Sequence, residues 1–161
     1  MKKEQGFSLI ELLIVVAIIA IIAAIAVPSM LTARMAANEA GAIQGCRTIG
    51  SAEMAYAAVN NQTFADLTDL VTDNFLDGRF TAAGGFNGYE YAAGEVTNGT
   101  AFNASIDGFL ASPSTSGSTG RYTYGISADQ VVRYMGAGAG LADAKCGSDV
   151  CAEGDPIGIN K

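Results

Sequence analysis

Between Leu12 and Ala33 the chain carries no charged side chain at all. Leu, Ile, Val and Ala dominate this run, and a polar, Gly-rich composition follows it. A helix crossing the hydrocarbon core of a bilayer needs about 20 apolar residues, at about 1.5 Å of rise each. The run meets that length. One concentrated apolar block followed by soluble composition predicts an anchor and a head, not a single continuous core. Lys2 and Lys3 precede the block. They are expected to stay on the cytoplasmic side, with the head outside.

Glu11 interrupts this pattern, four residues after Phe7. A carboxylate near hydrocarbon costs about 2–3 kcal/mol or more on insertion scales, so it calls for a partner or a role. Cutting after Gly6 would create a free α-amine at Phe7. That cation could pair with Glu11 of a neighbouring chain, where apolar surroundings screen the attraction less than water does.

Composition narrows the function classes. The 161 residues suit one modest globular domain plus an extra element. A net charge of −7 without basic clusters argues against gripping phosphates, so no nucleic-acid binding is expected. The absence of histidine removes the commonest general base and metal ligand. No nucleophile elbow, carboxylate constellation or phosphate-binding loop stands out. No catalytic residue, cofactor site or metal site is assigned, and a membrane-tethered enzyme is the weakest reading.

Gly6-Phe7-Ser8-Leu9-Ile10-Glu11, followed by a charge-free span, resembles the class III leader of type IV prepilins and type II secretion pseudopilins. The resemblance is strongest over residues 1 to 35. It implies that a membrane peptidase cuts after Gly6 and methylates the new N-terminal Phe7. It also implies that Glu11 serves assembly and methylation. Pro28 falls where such proteins usually carry a proline, and in their filaments the helix there can melt. An ordinary secretory signal is the competing reading, because Ala24-Ile25-Ala26 looks like a small-residue cleavage site. The apolar run is long for such a signal, and a discarded segment has no use for Glu11.

After Pro28 the chain stays helical in character to about Val59, rich in Ala and free of Pro. A kink or local opening is expected at Pro28, which lacks a backbone donor. Leu31, Met35, Ala42, Cys46 and Ile49 recur at three-, four- and seven-residue steps and predict one apolar face. Glu39 and Glu53 intrude on it. Thr68 is the expected cap of a short second helix reaching Leu70, Val71, Phe75 and Leu76. Four short runs then read as strands: from Gly88, from Ala104 to Leu110, from Arg121 to Ile126, and from Gln130 to Met135. Ser112–Gly120 reads as a flexible surface loop. The fold class expected is α+β, the type IV pilin fold: a long N-terminal helix packed on a roughly four-stranded antiparallel sheet. The expected divisions are a leader at 1–6, a membrane and filament-core half-helix at 7–27, a second half at 28–59 and a head at 60–161.

Three cysteines are present. Cys146 and Cys151 lie close together in a chain bound for an oxidising compartment and read as a short disulfide; two independent thiols are the alternative. The resemblance adds that such a bridge staples the tail in many pilins. Cys46, in helical sequence, reads as a small buried hydrophobe and free thiol. Asp143, Asp149, Glu153 and Asp155 in the tail lack calcium-loop spacing and read as a solvated acidic loop. Asn61-Gln-Thr, Asn98-Gly-Thr and Asn103-Ala-Ser fit the glycosylation pattern, with plain turn chemistry the simpler explanation.

The expected function is a structural subunit of a type IV pilus. The precursor sits in the cytoplasmic membrane as a single-pass protein, and the assembled subunit sits in a surface filament. Expected partners are other copies in a helical homo-oligomer, prepilin peptidase, and an assembly platform with its ATPases. The alternative is a pseudopilin or minor pilin of a type II secretion system or pilus tip.

Overall fold

A computed structural model describes residues 7–93, 108–126, 130–136 and 155–156. The chain divides into two compact units, Met1–Arg34 and Met35–Lys161. One helix, α1 (Leu9–Val59), contributes to both.

In the first unit α1 is apolar on every side. Its long run of Ile and Val is not the best helix-forming composition in water. In lipid, however, every backbone donor and acceptor must be satisfied within the segment, which a helix achieves. The Ser8 carbonyl accepts the first intrahelical bonds, from the Glu11 N–H at 3.1 Å and the Leu12 N–H at 3.2 Å. The helix continues through Pro28. Pro28 has no N–H to donate to the Ala24 carbonyl, so one rung of the ladder is missing there.

In the second unit α1 buries one face: Met35, Glu39, Ala42, Gly45, Cys46, Ile49, Gly50, Ala52, Glu53 and Ala57. The steps of three and four residues are those of a single helical stripe. Leu31, expected on this stripe, is exposed. Glu39 and Glu53, expected as intruders, lie fully on it.

Beyond α1, α2 (Leu67–Thr72) begins two residues earlier than the Thr68 cap predicts. Asp66 is the cap: its extended backbone turns the carboxylate back to accept the Asp69 N–H at 2.8 Å. The helix also ends sooner than expected. Asn74 adopts φ 61°, and the Phe75 and Leu76 N–H groups both donate to the Leu70 carbonyl. Phe75 and Leu76 therefore follow the helix and do not extend it. Asp77 then caps a 3-10 turn, Gly78–Thr81.

The sheet contains β1 (Tyr89–Ala93), β2 (Phe109–Pro113), β3 (Tyr122–Ile126), β4 (Val132–Gly136) and the two-residue β5 (Asp155–Pro156). It is an antiparallel meander in sequence order. Four of the strands match the expected architecture, and β5 adds a short edge. β2 sits later than the expected Ala104–Leu110 run, of which residues 104–107 lie outside the described residues. It begins after Gly108, at φ 63°, and takes in Ser112 and Pro113 opposite Glu90 and Tyr89. Ser112, expected at the start of a loop, is buried. Ser114–Ser118 is exposed as expected.

Helix and sheet meet through small residues on one side and aromatic ones on the other. A Cβ at Gly45 would fall 2.3 Å from the Tyr91 hydroxyl oxygen, and one at Gly50 would fall 2.8 Å from the Ile126 Cδ1. Glycine at these two positions lets β1 and β3 approach the helix backbone. Cys46, Ile49, Leu70, Tyr89, Tyr124 and Ile126 fill the core between them. Phe80, Phe86 and Tyr91 form a cluster with each pair of centroids 5.0 Å apart.

Candidate functional site

The residues singled out in the sequence fall into the N-terminal unit, the head interior and the tail. From Phe7 to Arg34 every described residue is exposed. Phe7 and Leu9 are each 81% exposed, and none of the apolar run is buried among the described residues. This stretch of α1 is long and apolar enough to cross a membrane. Its exposure sets it apart from the core helix of a soluble protein. Apolar side chains in this quantity are not left in water; they are solvated by lipid or covered by other chains.

Glu11 stands in the first turn of α1, where a negative charge is favoured by the unpaired N–H groups of the helix start. Among the described residues its carboxylate has no ion-pair partner. Ser8 precedes the first helical residue, at a position where serine commonly caps a helix. Phe7 therefore lies just outside the helix, next to the bond that joins it to Gly6. Gly6, Lys2 and Lys3 lie outside the described residues.

The head interior holds the two carboxylates that the sequence pattern marked as misplaced, and each has a specific function in the fold. Glu39 accepts the backbone N–H of Arg121 at 2.9 Å, and both its oxygens are reached by the Arg121 guanidinium, at 3.2 and 3.3 Å. Asn38 donates to the Thr119 carbonyl at 2.9 Å. Together they tie α1 to the segment entering β3. Glu53 is 3% exposed and accepts the Ala65 N–H at 3.2 Å. Its other oxygen has no partner among the described residues. Burial, reinforced by the nearby Asp66, pushes its carboxyl up to about 7. No spacing rule in the sequence identifies these contacts, since Arg121 and Ala65 lie far along the chain. The usable signal was charge placed on an otherwise apolar stripe.

Cys46 is a free thiol, fully buried, and burial pushes it up to about 12. Cys146 and Cys151, with Asp143, Asp149 and Glu153, lie outside the described residues. Among the described residues no group of three or more potential metal ligands comes together.

Residues 1–27 match the family described as the prokaryotic N-terminal methylation motif. No curated protein and no solved structure matches the chain. The match spans the residues that carry the leader, Glu11 and the apolar run, and it ends just before Pro28. A leader of this class implies processing by prepilin peptidase and use by pilus or secretion assembly machinery. The exposed helix and the matched motif together identify a membrane-anchored precursor with the class III prepilin leader found in type IV pilins and pseudopilins.

Proposed function

We propose that this protein is the structural subunit of a type IV pilus filament. Prepilin peptidase cuts it after Gly6, Phe7 is methylated, and the mature chain assembles through its N-terminal helix. Residues 1–6 are the leader, 7–27 the membrane and filament-core half of the helix, 28–59 the half that carries the head, and 60–161 the head itself. Its role is architectural and not catalytic.

The observation that carries this reading is the complete exposure of an apolar helix that begins beside Glu11. Lipid solvates such a surface in the precursor, and other copies of the same helix solvate it in a filament. Leaving the bilayer is then tolerable only in company. Glu11 adds direction to that choice. A lone subunit has poor means of neutralising a carboxylate at this depth, whereas a docked subunit meets the Phe7 amine.

The test is Glu11→Ala in cells deprived of the wild-type copy. The protein is expected to be made, inserted and cleaved, with filaments in the sheared fraction lost or strongly reduced relative to the membrane pool. Glu11→Gln is expected to be intermediate at best, because the amide keeps hydrogen bonding and loses the ion pair. Wild-type numbers of filaments with alanine at position 11, seen by electron microscopy, would refute the role of the carboxylate. A deletion strain that keeps its surface filaments and loses protein secretion would refute the pilus reading in favour of a pseudopilin.

A further inference from the structure

Within the first unit the only charges between Phe7 and Arg34 are those on Glu11 and Arg34 themselves. They bracket the charge-free run, both are exposed, and neither has an ion-pair partner among the described residues. Arg34 lies 23 positions beyond Glu11 on one continuous helix. That separation is about 35 Å along the axis, close to the thickness of a bilayer's hydrocarbon core, about 30 Å.

Resting on the filament reading above, we propose that Glu11 of one copy, displaced outward by 23 residues, pairs with Arg34 of a second, parallel copy. The occupant beside this exposed helix is thus another copy of the same chain, in one register. The geometry leaves few alternatives. Lys2 and Lys3 hold every precursor in the same orientation, so antiparallel pairing is unavailable. Parallel copies side by side without displacement would set Glu11 against Glu11 and Arg34 against Arg34, which is repulsive in a poorly screened seam. Intermediate displacements bury each charge against Leu, Ile, Val and Ala, except one of four residues, which sets Glu11 level with a neighbour's Phe7 amine and leaves Arg34 unpaired. Only the 23-residue displacement turns both charges into one attractive pair.

The same displacement explains delivery. A copy lifted from the bilayer by about one hydrocarbon thickness brings its Glu11 level with the Arg34 of a copy still anchored. Arg34 therefore receives the growing structure at the outer membrane boundary. The contact is head-to-tail and does not close on itself, so repetition generates a filament. A carboxylate has two oxygens, so Glu11 can hold this guanidinium and the Phe7 amine together.

Electron cryomicroscopy of sheared wild-type filaments is the direct test. The expected result is a Glu11 carboxylate within about 4 Å of a neighbour's Arg34 guanidinium. The axial offset should be about 35 Å, increasing by about 2 Å for each residue that unwinds at Pro28. A chemical test uses the double variant Ile14→Cys, Ala37→Cys, which carries the same 23-position spacing three residues further on. That step turns both thiols off the line between the helices, too far apart for a direct disulfide, so filaments treated with a flexible bismaleimide should give a ladder of covalent multimers, with none from either single variant. Arg34→Glu should lower sheared filaments at least tenfold with the membrane pool unchanged, and Arg34→Lys should stay within twofold of wild type. Filaments in which Glu11 and Arg34 lie apart, the absence of a ladder, or Arg34→Glu filaments at wild-type level would each overturn the register while leaving the pilus reading intact. No wild-type filaments at all would overturn both.

Discussion

Glu53 makes the stability of the head depend on pH in a direction opposite to that of most carboxylates. It sits 3% exposed on the buried face of α1, with one oxygen on the Ala65 N–H and the other unpaired. Burial, first, and then the negative Asp66 move its carboxyl from the ordinary 4.5 up to about 7. The folded state therefore binds the proton more tightly than the unfolded chain does. Stability falls as pH climbs from about 4.5 to about 7, and it levels off once both states are ionised. A shift of this size corresponds to about 3 kcal/mol, or about 10 °C in the melting temperature of a domain this large. The perturbation is Glu53→Gln, which keeps an acceptor for Ala65 and cannot ionise. Full-length wild type and variant, in non-ionic detergent, would be melted by circular dichroism at pH 4.5 and pH 8. The variant should gain about 3 kcal/mol on wild type between the two pH values, whatever its repacking costs at pH 4.5. Because the quantity is a difference of differences, other titrating groups cancel. Parallel pH profiles for the two proteins would refute the buried-proton argument.

Other outcomes follow from the same contacts. Gly45→Ala should destabilise the head by about 1–3 kcal/mol despite alanine's better helix propensity, because its Cβ would meet the Tyr91 hydroxyl. Tyr91→Phe, which removes a hydroxyl with no partner among the described residues, should be near neutral alone and should relieve part of that loss. Native protein should resist alkylation at Cys46, and unfolding under reducing conditions should release three reactive thiols; labelling of Cys46 in the folded protein would contradict its burial. Bridged Cys146 and Cys151 should become labelled only after reduction, with removal of the bridge costing about 2 kcal/mol and loosening only the tail. Mass spectrometry of the membrane pool should find a mature terminus at N-methylated Phe7, and a terminus at Val27 would establish an ordinary signal peptide instead.

The sequence by itself determined whatever depends on neighbours along the chain. The charge-free run, the leader before it and Glu11 at its edge were readable because a membrane helix is a local, one-dimensional requirement of length and polarity. The end of α1 at Val59 and the positions of β1, β3 and β4 were readable for a related reason. Helical stripes and aromatic strands repeat with short periods that turn residues interrupt. The tertiary structure decided what depends on residues brought together from afar. It turned Glu39 and Glu53 from flaws in an apolar stripe into the groups that fasten α1 to Arg121 and Ala65. It moved the cap of α2 from Thr68 to Asp66, because a cap is chosen by backbone direction as well as by residue type. It extended β2 through Ser112 and Pro113, since a strand ends where its partner stops pairing and not where its composition turns polar. It also gave Gly45 and Gly50 their purpose: each looks like a weak point in a helix until Tyr91 and Ile126 are seen to need the space.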